Sequence, residues 1–482
     1  MAGKSRYYLA LGIIFLSCGF YAQLQTSKWY FGSQAGLDFA TTPPTILTNG
    51  AMTTFEGCAS IADAAGNLLF YTDGSTVYNN SHVAMSNGTG LLGFSSSSQS
   101  GIIVKQPGNT NIYFVFTQGS TGNGTRYSEI DMNLSSGQGS VTTKNTILQN
   151  PSSEKLTSVR HCNGTDIWVM SHDNNNNVFR AYLVNSSGVN SVAVTSTVGT
   201  VYAGADFVGI LKFSPNGRKL AASLYGTTAA FEIYDFDNGT GIVSNALLLG
   251  GSMSVAYGVE FSPDGTKLYG GRFNNTALYQ WDLCAGSNTA IAASTYTIVN
   301  SGTGKGQMQL APNGKIYVAR WNQSDLGIIQ NPNVAGAGCN FVEVGQSIAP
   351  KSSQLGLPNF ITSSVNPPQT PFTHTVNNSF GCQTASFTAP PIMTNFTTVS
   401  CAASGYSMVG MYWIFGDPAS GSANTSTLTN PSHAYTNLGT YTAQLVINYS
   451  CGGGTDTIKQ QVIINQPCIT VTSTSITCAS LG

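Results

Sequence analysis

Short apolar runs alternate with polar residues and turn residues along positions 28–364, and one unit of that pattern recurs as FSPNGRKLAAS (213–223), FSPDGTKLYGG (261–271) and LAPNGKIYVAR (310–320). In each copy Pro presets φ for the second position of a type I turn. Asp or Asn suits the third position, and Gly takes the left-handed one that closes a hairpin. The unit is therefore a strand, a tight turn and a second strand. Its turn glycines, Gly217, Gly265 and Gly314, lie 48 and 49 residues apart, a period in the range of β-propeller blades.

Diverged copies of the unit precede these three at 61–79, 101–119 and 159–172, which makes six. Strands at 127–132, 178–184, 231–237 and 277–283 follow the hairpins and are read as the outer strands of their blades. Two aromatic-rich strands at 28–40 and a last strand in SSQLGLPNFITSS (352–364) are left over. Joining them closes a ring by its two ends and removes exposed edges. The expectation is an all-β chain with a propeller over 23–363, of seven blades in preference to six. A Pro-rich linker follows at 364–372. Beyond it, apolar and polar residues alternate as in a small antiparallel β-sandwich over 373–466, and 467–482 reads as the start of a further, truncated β repeat.

Composition narrows the function classes. Only 8% of the 482 residues are charged and the net charge is -1, whereas 41% are hydrophobic, with 22 Tyr and 23 Phe. This excludes a nucleic-acid footprint and wholesale disorder. Residues 1–22 carry Lys4 and Arg6, an apolar run from Leu9 to Phe20 and a terminal Ala22, the pattern of a secretory signal peptide. Lipid attachment at Cys18 is the alternative. No other stretch is long and apolar enough to span a membrane, so the expected location is secreted or cell-surface. In an exported chain disulfides are expected; the pairings read are Cys284 with Cys339 and two among Cys382, Cys401 and Cys451, with an odd cysteine left over.

Chemistry-bearing constellations are sparse. His82, His161 and His172 form no metal-binding pair, and no nucleophile elbow or phosphate-binding loop is present. Asp235 and Asp237, in DFDNGTG, offer oxygens at the spacing of a calcium loop, but they lie where a strand must turn, and a hairpin turn is the main reading. No other cofactor is implied. The residues just before each hairpin, Glu56, Gln99, Glu260, Gln307, Gln309 and Gln354, are expected to line the central channel, where amides and carboxylates suit sugar hydroxyls. A wet, polar structural lining is the competing reading.

The C-terminal region resembles the polycystic kidney disease (PKD) domain: Trp413, Phe415, Gly416 and Asp417 match W-x-FGD, and His433, Tyr435, Gly439 and Tyr441 match the H-x-Y-x3-GTYT run. Pro418 departs from the family's usual Gly. The front half, through 56–74, 96–108, 257–269 and 354–360, is similar to the propeller of secreted multidomain PKD proteins of gliding bacteria, and its hairpins follow the looser SP[DN]G-x-[KR]-L class of bacterial propellers. That resemblance implies a type IX secretion context and a noncatalytic surface or adhesion role, with extracellular glycans or matrix and surface proteins as partners. The chain lacks the sorting domain that usually ends the long forms. A polysaccharide-degrading enzyme with the PKD domain as accessory is the rival expectation, and a structural matrix component a third.

Overall fold

The computed structural model describes residues 24–119, 122–251, 253–273, 276–365, 372–377, 383–389, 408–449 and 455–464. The signal segment, most of the linker, the residues after 464 and Cys382, Cys401 and Cys451 fall outside them.

Seven antiparallel sheets follow one another along residues 28–347. Sheet 1 has three strands, Lys28–Phe31, Ala35–Asp38 and Thr45–Leu47. Sheets 2 to 7 are meanders that begin at Ala59–Ala62, Gly101–Lys105, Leu156–Arg160, Leu211–Phe213, Ala256–Phe261 and Lys305–Leu310. These six first strands contact one another in sequence and form the inner wall. Sheets 2 and 3 also touch at their outer edges through a parallel bridge between Ser86 and Ser140. The strands at 127–132, 178–184, 231–237 and 277–283 are third strands, not outer ones, because a fourth strand packs outside each, as Ile242–Leu249 does on Ala230–Asp237.

Hydrophobic layers fill the space between consecutive sheets, and the layer between sheets 1 and 7 closes the ring. There the fully buried Trp29 meets Tyr317 edge-on at 5.6 Å and Phe39 at 4.5 Å. Trp29 Nε1 donates to the Thr26 carbonyl at 3.0 Å, so the indole buries no orphan donor. Local chemistry sets the hairpins. Gly217, Gly265 and Gly314 have φ of 68°, 70° and 77°, and each donates its N–H three residues back, to Ser214, Ser262 and Ala311.

The inner position of sheet 1 is taken by the stretch 352–358. Ser352 bridges Ser33, Leu355 accepts from the Gln307 amide at 2.7 Å and donates to Phe55 at 2.9 Å, and Pro358 lies alongside Cys58. The stretch thus sits between the inner strands of sheets 7 and 2. Gly356 is obligatory, since a Cβ there would lie 1.6 Å from the Glu56 carbonyl oxygen. The chain then crosses the channel to sheet 4. Asn359 Nδ2 donates to Leu156 at 2.8 Å, Ile361 bridges Ser158, and Ser363 Oγ accepts from Arg160 at 2.9 Å.

Cys339 is a buried free thiol beside the Tyr269 hydroxyl, and Cys58 is free as well. The expected Cys284–Cys339 bridge is therefore not formed: the Cys339 side chain is turned into the core between sheets 6 and 7, and Cys284 is engaged in another disulfide.

The C-terminal unit has two sheets, one of Thr373–Asn377, Thr384–Thr388 and Ser432–Ala434, the other of Thr425–Ser426, Met408–Ile414, Gly439–Tyr449 and Thr455–Ile464. It is an immunoglobulin-like sandwich with Trp413 at its centre, the indole N–H donating to Leu428 at 2.9 Å. Residues of the PKD signature bond and pack within the sandwich. Asp417 accepts from the Thr436 amide and hydroxyl at 2.9 and 2.7 Å and pairs with His433 at 3.2 Å. His433 stacks on Phe415 at 4.3 Å, Tyr435 donates to the Phe415 carbonyl, and Tyr435 and Tyr441 pack at 4.3 Å. Gly416, at φ 76°, admits Thr442 O where a Cβ would stand 2.5 Å away.

Candidate ligand site at the channel mouth

In an antiparallel meander, connections alternate between the two ends of a sheet. The Pro-Asp/Asn-Gly turns therefore lie on one face of the ring. The loops after each second strand, and the loops that lead into each first strand, lie on the other, here called the mouth face.

The channel wall below the mouth is occupied by its own side chains. Gln99, fully buried, accepts from the amides of Leu156 and Leu211 at 3.0 and 2.8 Å and donates to Leu211 O at 2.9 Å. Glu260 accepts from the amides of Leu310 and Phe261, both at 3.0 Å, and pairs with Lys212 at 3.3 Å with both side chains fully buried. Lys212 also donates to Gln309 at 2.6 Å. Burial raises the Glu260 carboxyl above its usual range against the pull of Lys212. Gln307 accepts from Leu357 at 3.0 Å, which pins the closing stretch. These four residues hold inner strands together, and Leu355, Leu357 and Phe360 of the closing stretch are buried in the core layers beside them. Of the six residues singled out in the sequence, Glu56 and Gln354 reach the mouth, Gln354 by way of Ser33 Oγ at 3.2 Å.

Aromatic residues surround that mouth. Tyr225, Phe273 and Trp321 are the first residues after the second strands of sheets 5, 6 and 7. The loops into sheets 2 and 3 add Phe55 and Phe94. Phe55, Phe94 and Trp321 are 40%, 48% and 46% exposed, and exposed apolar groups gathered on one face are the kind of surface that marks a binding site. Backbone bonds across sheets set their spacing. Val255 donates to Tyr225 O at 3.3 Å and accepts from Phe273 N at 3.0 Å, and Phe273 packs against Trp321 at 5.5 Å and Tyr257 at 6.4 Å. Val255 makes these bonds at φ 59°, a left-handed conformation that a β-branched residue adopts only under strain.

At the base of the collar lie Glu56, Glu154 and Tyr257, none of which exposes more than a tenth of its surface. Burial, and then the charge of Glu154, push the Glu56 carboxyl up to about 8. Glu154 is also raised by burial, although its Oε2 accepts from Ser98 N and Oγ at 2.9 and 2.8 Å. Behind it Lys155 is brought down to about 7 by burial; its Nζ donates to Asp206 O and Val208 O at 3.0 and 2.7 Å and lies 5.1 Å from the Tyr202 ring centre. Glu56 and Tyr257 lie against each other, with Ser98 beside the Tyr257 hydroxyl, and each shifts the other's titration, whereas Ser97 Oγ is buried without a hydrogen-bond partner among the described residues. Perturbed acids beneath an aromatic opening mark a candidate functional site. The sequence reading found Glu56 and missed Glu154, Tyr257 and the aromatic collar. The signal was present, since an aromatic follows the second strand in three consecutive blades.

The other candidates resolve as turns and packing. Asp235 pairs with Lys219 at 2.5 Å and accepts from Asn245 at 2.8 Å, and Asp237 accepts from the Gly239 amide at 2.9 Å within its own hairpin. No cluster of three or more His, Cys, Asp or Glu able to hold a metal occurs among the described residues. His172 stacks on Tyr202 at 3.6 Å, and burial lowers its titration to about 3. His82 packs against Tyr30 and Tyr71, and His161 against Trp168.

Among known families, the PKD domain profile matches residues 375–464. No curated protein matches the chain. Solved structures similar to it include two provisionally assigned as 6-phosphogluconolactonases. The one from Bacteroides uniformis has a TM-score of 0.39 at 11% identity and covers 86% of this chain and 99% of its own. The one from Bacteroides fragilis has 0.39 at 11%, covering 83% and 92%. A protein of unknown function from Desulfotomaculum acetoxidans has 0.34 at 11%, covering 68% and 82%.

Proposed function

We propose that this chain is an exported, noncatalytic cell-surface or extracellular binding protein, in which the propeller mouth holds glycans and the PKD domain serves as spacer or interaction module. The observation that carries the reading is the aromatic collar over a buried carboxyl and phenol. Aromatic faces stack on the apolar C–H faces of sugar rings, and the polar groups at the base are placed to fix orientation. A PKD domain accords with an extracellular setting, as does the signal-peptide pattern of residues 1–22. Export by type IX secretion and a role in adhesion belong to the same proposal, on the resemblance of the sequence to surface proteins of gliding bacteria.

Glu56 and Glu154 together favour a second reading, hydrolysis of the bound glycan by an acid and base pair. The test is a glycan array probed with the full chain, followed by product analysis on every hit. Binding that W321A or F273A weakens roughly tenfold or more, with no released oligosaccharide, supports the proposal. Oligosaccharide release abolished by E56Q replaces it with the enzyme reading. Binding indifferent to W321A, F273A and F94A removes the mouth as the site.

A further inference from the structure

The mouth face keeps its charges out of solvent. Its loops, those into first strands, those after second strands and the one into the closing stretch, contain seven Asp, Glu, Lys or Arg residues. Six of them, Glu56, Asp73, Glu154, Lys155, Asp173 and Asp206, expose less than a tenth of their surface. Such side chains are almost never buried to that extent unless they are paired, and these are held from within. Asp73 accepts from the Ser75 amide and hydroxyl at 2.8 and 2.7 Å, Asp206 from the Thr228 hydroxyl at 2.7 Å, and Asp173 from Arg180 Nε at 2.7 Å. The seventh, Lys351, is partly exposed, and its Nζ donates to Gln34 Oε1 at 2.7 Å.

Charges on the strand ends beside these loops are spent in the same way. Arg126 Nε donates to Asn123 O and Arg272 Nε to Ser254 O, both at 2.8 Å, and Arg320 pairs with Asp325. Lys305, fully buried, pairs with Glu343 at 2.9 Å. What the face offers to solvent around Phe55, Phe94 and Trp321 is neutral: the exposed polar residues of its loops are amides and hydroxyls, among them Asn150, Thr227, Asn322 and Ser324. These groups donate to and accept from sugar hydroxyls. A charged group on a stacked sugar, a uronate above all, would lose water against the rings without gaining a counter-charge, and that loss is costly unless a partner offsets it.

We propose that the mouth selects uncharged glycans and discriminates against uronate chains of the same backbone. This rests on the glycan-binding reading above and specifies its ligand class. The test is calorimetric titration of the full chain at neutral pH with hexasaccharides of β-1,4-glucan, β-1,4-mannan and β-1,3-glucan, each beside a counterpart that carries a carboxylate in place of the C6 hydroxymethyl group. At least one neutral hexaose binds, roughly tenfold or more tighter than its carboxylated counterpart. Its affinity moves by no more than about twofold between roughly 0.05 and 0.5 M NaCl, because there is no ion pair to screen. K351M leaves that affinity unchanged, whereas W321A weakens it.

Equal or tighter binding of a carboxylated hexaose overturns the assignment, and so does an affinity that drops severalfold with salt or in K351M. Any of these results leaves the collar reading intact if W321A still weakens binding. Failure of all three neutral hexaoses to bind also overturns the assignment, while the glycan array decides the collar reading separately.

Discussion

Trp29, from the first strand of the ring, and Tyr317, from its last sheet, meet edge-on at 5.6 Å. Their contact lies where the two ends of the propeller join, inside a core layer that also contains Phe31, Leu326 and Phe360. W29A leaves a cavity there and is expected to cost about 3–5 kcal/mol, measured by urea denaturation. W168A, in the core layer between sheets 4 and 5 and away from the seam, is the control for a generic tryptophan loss. An intact propeller signal in W29A, with a midpoint near wild type, would show that the seam is not stability-determining.

The Lys212–Glu260 pair is fully buried. Removing one partner leaves an uncompensated group in the wall, so K212M is expected to destabilise by about 3–5 kcal/mol, while the double variant K212M/E260Q recovers a substantial part of that loss. A double-mutant cycle on thermal midpoints measures the coupling, and strict additivity would refute it.

Glu56 is raised from 4.5 to about 8 in the folded chain. A raised acid binds more protons folded than unfolded between those values. Stability therefore falls as pH climbs from the usual carboxylate range towards 8, and levels off above it. E56Q removes that penalty. It is expected to gain roughly 1–3 kcal/mol at pH 9, after allowance for relaxation, and almost nothing at pH 4. Equal effects at the two pH values would contradict the assignment.

Asp417 shows the opposite sign. Burial acts to raise it, but Thr436 and His433 together hold it below the ordinary value. Its contribution is present above the unfolded value and disappears as pH falls through the folded one. D417N should therefore destabilise the sandwich at pH 7, by about 1–3 kcal/mol, with a gap to wild type that closes as pH falls below the ordinary carboxylate range. A gap constant from pH 7 to 3 would assign the loss to packing instead.

Val255 keeps a β-branched side chain at φ 59° between Tyr225 and Phe273. V255G relieves about 1 kcal/mol of backbone strain and frees the spacing of the two rings. Weaker glycan binding without a fall in thermal midpoint is the expected result. Trp321 is the one exposed tryptophan among the five, so ligand-induced fluorescence change reports on the collar directly, and an unchanged titration in V255G would dissociate Val255 from it.

What was legible in the sequence is what local chemistry dictates. The Pro-Asp/Asn-Gly turns carry their own φ requirements, and Gly217, Gly265 and Gly314 sit in the left-handed region as those motifs demand. Trp413, His433 and Tyr435 were recognisable because the sandwich needs them at fixed spacing. The fourth strands were missed for a physical reason: an edge strand such as Tyr296–Asn300 is half exposed and lacks a clean alternation. The mouth was harder still. Glu154 and Tyr257 are distant in sequence from Glu56, and only ring closure brings them together. Gln99, Gln307 and Gln309 were placed on the inner wall, but nothing local could say that neighbouring backbone would consume their amides.

The stretch 352–365 has one more consequence. It begins near the mouth, at Ser353 beside Asn322 and Gln323, and ends below Arg160 on the turn face. Tension applied from the downstream side would therefore load this strand lengthwise, in shear against the backbone bonds of Leu355 and Asn359, before it reached the collar. The propeller's clasp is also its mechanical fuse: grip on a ligand and resistance to pulling reside at opposite ends of one segment.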